Sequence, residues 1–408
     1  MATLNLPTSD LAGMNIESFD TTTFLEHASA QARQRHLEKY FIVDVDSHHY
    51  ENASYRDIVN YVEDPVLRHR AKSSMTRQSG AVSLFPTSYG SQDMSGRVTR
   101  YHTRALEKTP EGHPRDLTLA QRWMDAMGVD ISMLFPTPML NLGAHPVPEV
   151  ENQWARAYNR WLCEQILPHE SRVRSMLYLP FNDPEASYKM VQDFAHYPGV
   201  SGFMITAGHQ QAVHNNAFMK TYASLEERGL PLAFHGIYNW DDKAFQTMNR
   251  FISVHALGFV FYNMVHCINW VVNGLPERFP NLKVIWMESG LAWIPFVMQR
   301  MDNEYAMRSN EAPALKMKPS DYMRQMYYSS QPMECGNLKA LEVTFDMINA
   351  KTQLLYASDY PHWDFDLPST IIDLPFLDDE GKKNVLGETA RKLFNIKETG
   401  KLAKIPAA

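Results

Sequence analysis

Two hydrophobic rhythms alternate along the chain. Short, mostly apolar runs recur at FIVDVD (41–46), VDISMLFP (129–136), RSMLYLP (174–180), GFMI (202–205), LPLAFH (230–235), LKVIWM (282–287), MYYSSQ (326–331) and LLYAS (354–358). Longer amphipathic stretches lie between them, for example over 148–167, 184–197 and 216–229. Apolar runs of this length suit parallel strands covered on both faces, and the intervening stretches suit βα units. Eight such units predict an α/β fold, a TIM-like (β/α)8 barrel. An open, doubly wound sheet is the competing architecture. No GxGxxG follows the first run, which weakens its dinucleotide-binding form.

Two segments fall outside this rhythm. Residues 1–40 read as an N-terminal extension, in which Thr21-Thr22-Thr23 caps a helix through TFLEHASAQARQRHLEKY. An arm of this length either packs across a partner subunit or covers the barrel floor. The barrel unit spans 41–398, and within it residues 50–116 are too long for a plain connection between the first two strands. They hold a helical stretch, RDIVNYVEDPVLRHRA, and a polar run, SGAVSLFPTSYGSQDMSG. We read 50–116 as an insertion over the barrel mouth, part helix and part lid; a surface excursion is the alternative.

Composition narrows the function classes. The 408 residues are 44% hydrophobic and 21% charged, which supplies ample core. The net charge of −7 argues against a nucleic-acid or anionic-membrane partner. No run of about 18 apolar residues spans a bilayer. MATLNLPTSD lacks the basic and apolar segments of a signal peptide. Cys163, Cys267 and Cys335 are far apart and odd in number, which suits the reducing cytoplasm and forms no CxxC knuckle.

The chemistry sits where strands should end. Asp46-Ser47-His48 places a carboxylate and an imidazole two residues apart, on one side of a strand, where both can grip a cation. Asp44 has the same spacing but lies deeper, and His49 points the other way. His235 ends its run, and a single histidine there also serves as a structural hydrogen-bonding group. Asp359 follows LLYAS; such a residue holds a metal, takes a proton from bound water, or caps a helix. Glu288 opens SGLAWIPF, as a general base, a ligand, or a charge favourable to a helix N-terminus. His255 lies near the start of an apolar helical stretch and is a further catalytic candidate. His266, inside that stretch, reads as a packed core histidine. His362 is placed to orient substrate. Arg300 and Asp302 are candidates for a supporting ion pair. The joint pattern predicts a metal centre of Asp46, His48, His235, Asp359 and Glu288, with Asp359, Glu288 and His255 as catalytic groups. Zinc, manganese or iron all suit these ligand types, as one ion or two.

These motifs resemble a known group. Asp46-Ser47-His48, His235, NGLPERFPNLKVIWMESGLAWIP and YASDYPHWD are similar to the amidohydrolase-related family, in the branch of aminocarboxymuconate-semialdehyde decarboxylase and γ-resorcylate decarboxylase. The resemblance covers about residues 41–395. It implies a barrel holding a divalent metal, with Asp46 and His48 as first-strand ligands, His235 as the fifth-strand ligand and Asp359 as the eighth-strand aspartate. There is one departure. Decarboxylase members usually carry a histidine followed by glycines after the sixth strand, where this chain has Glu288-Ser289-Gly290. That form resembles another subset in which His255 and Glu288 both belong to the site, with relatives that look like oxygen-activating dinuclear iron or iron–manganese hydroxylases.

The expected function is metal-dependent hydrolysis or decarboxylation of a small carboxylate-bearing organic molecule, by general acid–base chemistry. The alternatives are a dinuclear, O2-dependent monooxygenase on the same fold, or a non-catalytic partner subunit of such an enzyme. The expected setting is cytoplasmic, as a homo-oligomer or with a related subunit.

Overall fold

A computed structural model describes residues 21–76, 111–237, 242–362 and 364–407. The apolar runs form eight strands: β1 Val43–His49, β2 Ile131–Pro136, β3 Val173–Tyr178, β4 Val200–Thr206, β5 Leu232–His235, β6 Val284–Met287, β7 Tyr327–Ser329 and β8 Leu354–Leu355. They pair in sequence order, and every ladder is parallel. Nearly every strand residue is buried, because helices cover the outer face while the side chains of facing strands fill the interior.

Backbone bonds close the barrel between its last and first strands. Val45 N–H donates to Tyr356 O (3.0 Å), Asp359 N–H to Asp46 O (2.8 Å) and His48 N–H to Tyr360 O (2.7 Å). Asp44 clasps the same seam: its carboxylate accepts from Ser358 N–H (2.9 Å), Ser358 Oγ (2.5 Å) and Asp46 N–H (3.1 Å). Burial pushes its pKa up to about 7, even though those hydrogen bonds favour the charged form.

The strand ends differ from the sequence expectation in an instructive way. β1 continues past its apolar run to His49, where His48 and His49 pair with Phe135 and Pro136. Polar residues aimed into the barrel do not interrupt a ladder, because the ladder needs only the backbone. β8 is shorter than expected, because Tyr356 N–H turns to Val385 O instead of a strand neighbour.

Helices Pro148–Trp161, Pro184–Phe194, Met219–Arg228, Phe251–Val272, Trp293–Arg308 and Leu338–Met347 lie between strands. Asp183 shows how one begins: its carboxylate accepts from Glu185 N–H (2.9 Å) and Ala186 N–H (3.1 Å), with Pro184 in the first turn. In the N-terminal extension, helix Thr21–Gln34 packs on the chain's own Arg115–Met127 helix. Gln31 Oε1 accepts from Ser369 Oγ (2.7 Å), and Arg35 pairs with Asp373 (2.6 Å). Of the 50–116 insertion, short helical turns over 51–61 and the helix Pro65–Thr76 are described, and the polar run at 79–96 lies outside the described residues. Among the described residues no helix is long and apolar enough to cross a membrane.

Candidate metal centre

The ends of β1, β5, β6 and β8 deliver Asp46, His48, His235, Glu288 and Asp359 to one buried point. On β1 the two-residue period turns Asp46 and His48 to the same side. His49 faces away; its Nδ1 lies 2.7 Å from Asp116 Oδ1 and its Nε2 2.8 Å from Tyr158 Oη. His235 ends β5 opposite Met287, so the next residue on β6, Glu288, arrives beside it. Gly236 permits that approach, since a Cβ there would collide with the backbone oxygen of Glu288. Glu288 (φ 47°) and Asp359 (φ 58°) both occupy the left-handed region, which costs a non-glycine residue of order 1–3 kcal/mol. Such backbone strain clusters at functional sites.

The proton positions on the two histidines follow from their neighbours. His48 Nδ1 donates to Pro136 O (2.9 Å) and His235 Nδ1 to Gly236 O (2.9 Å). A carbonyl only accepts, so each Nδ1 carries hydrogen and each Nε2 faces the site. His48 Nε2 lies 3.2 Å from Asp46 Oδ1 and 3.3 Å from Asp359 Oδ1, without the alignment of a hydrogen bond. His235 Nε2 lies 3.2 Å from the same Asp46 Oδ1. The other Asp46 oxygen is buried with no hydrogen-bond partner among the described residues. Imidazole lone pairs and carboxylate oxygens repel unless a proton or a metal cation sits between them; His235 Nε2 can hold a proton toward Asp46, while His48 Nε2 has no hydrogen-bond partner among the described residues. A buried divalent metal ion satisfies this donor set.

Where no cation is bound, a proton takes its place on His235. Burial opposes a charged His235, but the carboxylates of Asp46 and Glu288 outweigh it and lift its pKa to about 9. For His48 burial wins, and its pKa falls below the usual value despite Asp46. Burial also works against a charged Asp46, yet the His235 and His48 imidazoles hold its carboxyl below the usual range.

Ligand atoms of Asp46, His48, His235 and Glu288 lie within 4.8 Å of one another, as do those of His48, Asp359 and His362. Glu288 Oε2 lies 3.4 Å from His235 Nδ1, whose hydrogen goes to Gly236 O. His255 belongs to neither group. Its Nε2 lies 3.6 Å from Asp364 Oδ2 and its ring packs on Phe259. His266 is buried, donates from Nε2 to Ala207 O (2.7 Å) and stacks on His209. Arg300 pairs with Glu304 (3.0 Å) and Asp302 accepts from Ser320 (2.7 Å), so the suggested Arg300–Asp302 pair does not form. Residues two apart on a helix do not face each other.

Sequence reasoning passed over Thr137 and gave His362 too small a place. His362 Nδ1 lies 2.5 Å from Asp359 Oδ1, its Nε2 lies 3.1 Å from Thr137 Oγ1, and its ring stacks on His48 at 4.3 Å. The signal was the three-residue spacing Asp359–His362, which a turn brings together.

Known proteins share this architecture. γ-Resorcylate decarboxylase of Polaromonas sp. (strain JS666) is 23% identical over 297 residues, which is 67% of this chain and 86% of the relative. A 5-carboxyvanillate decarboxylase from Novosphingobium aromaticivorans, solved with manganese and 4-hydroxy-3-methoxy-5-nitrobenzoic acid, superposes with a TM-score of 0.65 at 19% identity, covering 88% of this chain and 97% of that one. A dihydroxybenzoic acid decarboxylase from Polaromonas sp. JS666, with bound manganese and 2-nitroresorcinol, gives 0.62 at 17% identity, covering 89% and 99%. These structures share the barrel fold. A family model described as amidohydrolase matches residues 100–396, and the chain belongs to that family.

Proposed function

We propose that this chain is a metal-dependent decarboxylase of a small phenolic aromatic carboxylate. Asp46, His48, His235 and Asp359 are the residues we assign to the cation, with Glu288 beside them. The observation that carries the metal is the pair of buried Nε2 atoms sharing one carboxylate oxygen. Decarboxylation is favoured over hydrolysis by the relatives, whose names specify decarboxylases of aromatic acids. The oxygen-dependent alternative draws no support from them.

When bound, the cation supplies Lewis-acid polarisation of a substrate oxygen. The remaining chemistry falls to the chain. Loss of CO2 breaks the bond between ring carbon and carboxylate and leaves its electron pair on the ring. A proton delivered to that carbon balances the step. We assign the delivery to Asp359, just past β8, once its carboxylate has taken up the proton that the substrate's phenol gives up on binding, with Glu288 as the second candidate. The ring of Phe135, packed on His235 (5.4 Å) and His48 (6.0 Å), keeps water from one side of the pocket. We keep His255, half-buried beside Asp364, as a further candidate to meet substrate. We place the enzyme in the cytoplasm, a setting supported by its free cysteines.

The test is chemical. Manganese-loaded protein is incubated with 2,6-dihydroxybenzoate and with 5-carboxyvanillate. We expect CO2 release matched by loss of the carboxylate, abolished by chelation. Oxygen consumption, or hydrolysis of an amide or ester panel in place of CO2 release, would overturn the assignment.

A further inference from the structure

One imidazole inside the site has not been given a task. His362 is 1% exposed, lies flat against the His48 ring (30° between planes), and sits at the end of a chain of buried hydrogen bonds. The chain starts at Glu51, whose oxygens accept from Thr137 N–H (2.9 Å) and Met139 N–H (2.7 Å). Thr137 Oγ1 then meets His362 Nε2 (3.1 Å), and His362 Nδ1 meets Asp359 Oδ1 (2.5 Å). The turn is also closed through the backbone, where His362 N–H donates to Asp359 O (2.9 Å).

The direction of these bonds follows from valence. A carboxylate oxygen accepts, so Nδ1 carries the hydrogen; in the neutral ring Nε2 accepts from the Thr137 hydroxyl. Both ring nitrogens are then committed. To ligate a cation, His362 would have to give up one of two good hydrogen bonds. His48 and His235 differ, since each spends only Nδ1 on a carbonyl and turns Nε2 to the site.

We propose that His362 is a positioning residue that holds the Asp359 carboxylate, and that Glu51 and Thr137 hold His362. Asp359 sits on left-handed backbone at φ 58°, so its side chain gains its orientation from contacts, not from a regular strand. Its Oδ1 is fixed by His362, which sets the plane of the carboxylate toward the cation and the substrate. The proposal rests on the assignment of Asp359 to the metal centre. Glu288 Oε1 lies 3.9 Å from His362 Nδ1, so the same imidazole faces both acids.

The experiment is a manganese titration, read by loss of the free-ion paramagnetic signal, on wild type, His362→Phe, His362→Asn and Thr137→Val. Phenylalanine keeps the stack on His48 and removes both hydrogen bonds; asparagine restores a donor near the Nδ1 position. We expect one unchanged stoichiometry throughout. Affinity should fall about 10–100-fold in His362→Phe, return to within about 3-fold of wild type in His362→Asn, and fall a few-fold in Thr137→Val. With a turned-over hydroxybenzoate, kcat should fall in the same order while KM holds. Wild-type affinity in His362→Phe would overturn the proposal, as a packing role predicts. Loss of the manganese site in both His362 variants would also overturn it, by making His362 a ligand. Thr137→Val keeps the test open should His362→Phe not fold. If wild type itself binds no manganese, the metal-centre assignment fails, which is a different result.

Discussion

Removing one imidazole from this pocket does more than delete a ligand. In His235→Ala the buried Asp46 carboxylate loses a hydrogen-bonding neighbour, and in His48→Ala a nitrogen donor 3.2 Å away is lost. We expect either variant to bind metal more than about 100-fold more weakly and to lose nearly all turnover, as measured by metal analysis after dialysis alongside CO2 release. Glu288→Gln is a different case, since it keeps shape and loses charge. It should fold, keep its metal and lose about 100–10,000-fold in turnover; unchanged turnover would reduce Glu288 to a charge at a turn. Asp46, His48 and His235 were legible because ligand-type residues terminated or followed apolar runs, and because a strand turns i and i+2 to one side. The Thr137–His362–Asp359 chain was not. It joins the ends of β2 and β8, and no local spacing links Thr137 to His362.

At the scale of elements, the eight runs stand as eight strands because parallel strands buried on both faces leave an apolar signature that loops do not share. Their ends were less legible. β1 runs three residues beyond its apolar stretch, through polar side chains of which His48 faces the site, and β8 ends early where its backbone bonds are diverted. One junction offers a sharp test. Gly236 lets the Glu288 backbone lie against the end of β5, and a methyl group has no room there. We expect Gly236→Ala to destabilise the fold by about 1–3 kcal/mol in urea unfolding and to weaken the metal site with it, because His235 and Glu288 flank the collision. An alanine variant as stable as wild type, with unchanged metal affinity, would show that the two strand ends are looser than this packing implies.

For the whole molecule, the barrel and its chemistry could be read together because ligands at strand ends and a parallel sheet imply each other. The 50–116 insertion was the least legible part of the sequence, since its polar run lacks the periodicity from which structure is read. The scaffold also carries a titration that the metal site does not share. Glu151, buried on helix Pro148–Trp161, accepts from Tyr178 Oη on β3 (3.1 Å). Burial raises its pKa from 4.5 to about 7, against that hydrogen bond. The folded state therefore holds this proton where the unfolded chain has released it. The contribution of Glu151 to stability is complete below pH 4.5, declines as pH rises toward 7, and is lost above it. Glu151→Gln removes the titration. Its stability should match wild type near pH 4 and gain on it by up to about 1.4 kcal/mol per pH unit through the interval, measured by paired urea unfolding across pH. Parallel curves would contradict the burial of that proton.

The convergence of four separated segments on one cation is open to a single direct measurement: elemental analysis of protein purified without oxygen, in wild type and in Asp46→Ala. We expect a divalent metal bound tightly in wild type, at a whole-number ratio to chain, and absent from the variant. A wild type that holds no metal after incubation with manganese, zinc or iron, or a variant that holds as much as wild type, would contradict the assignment.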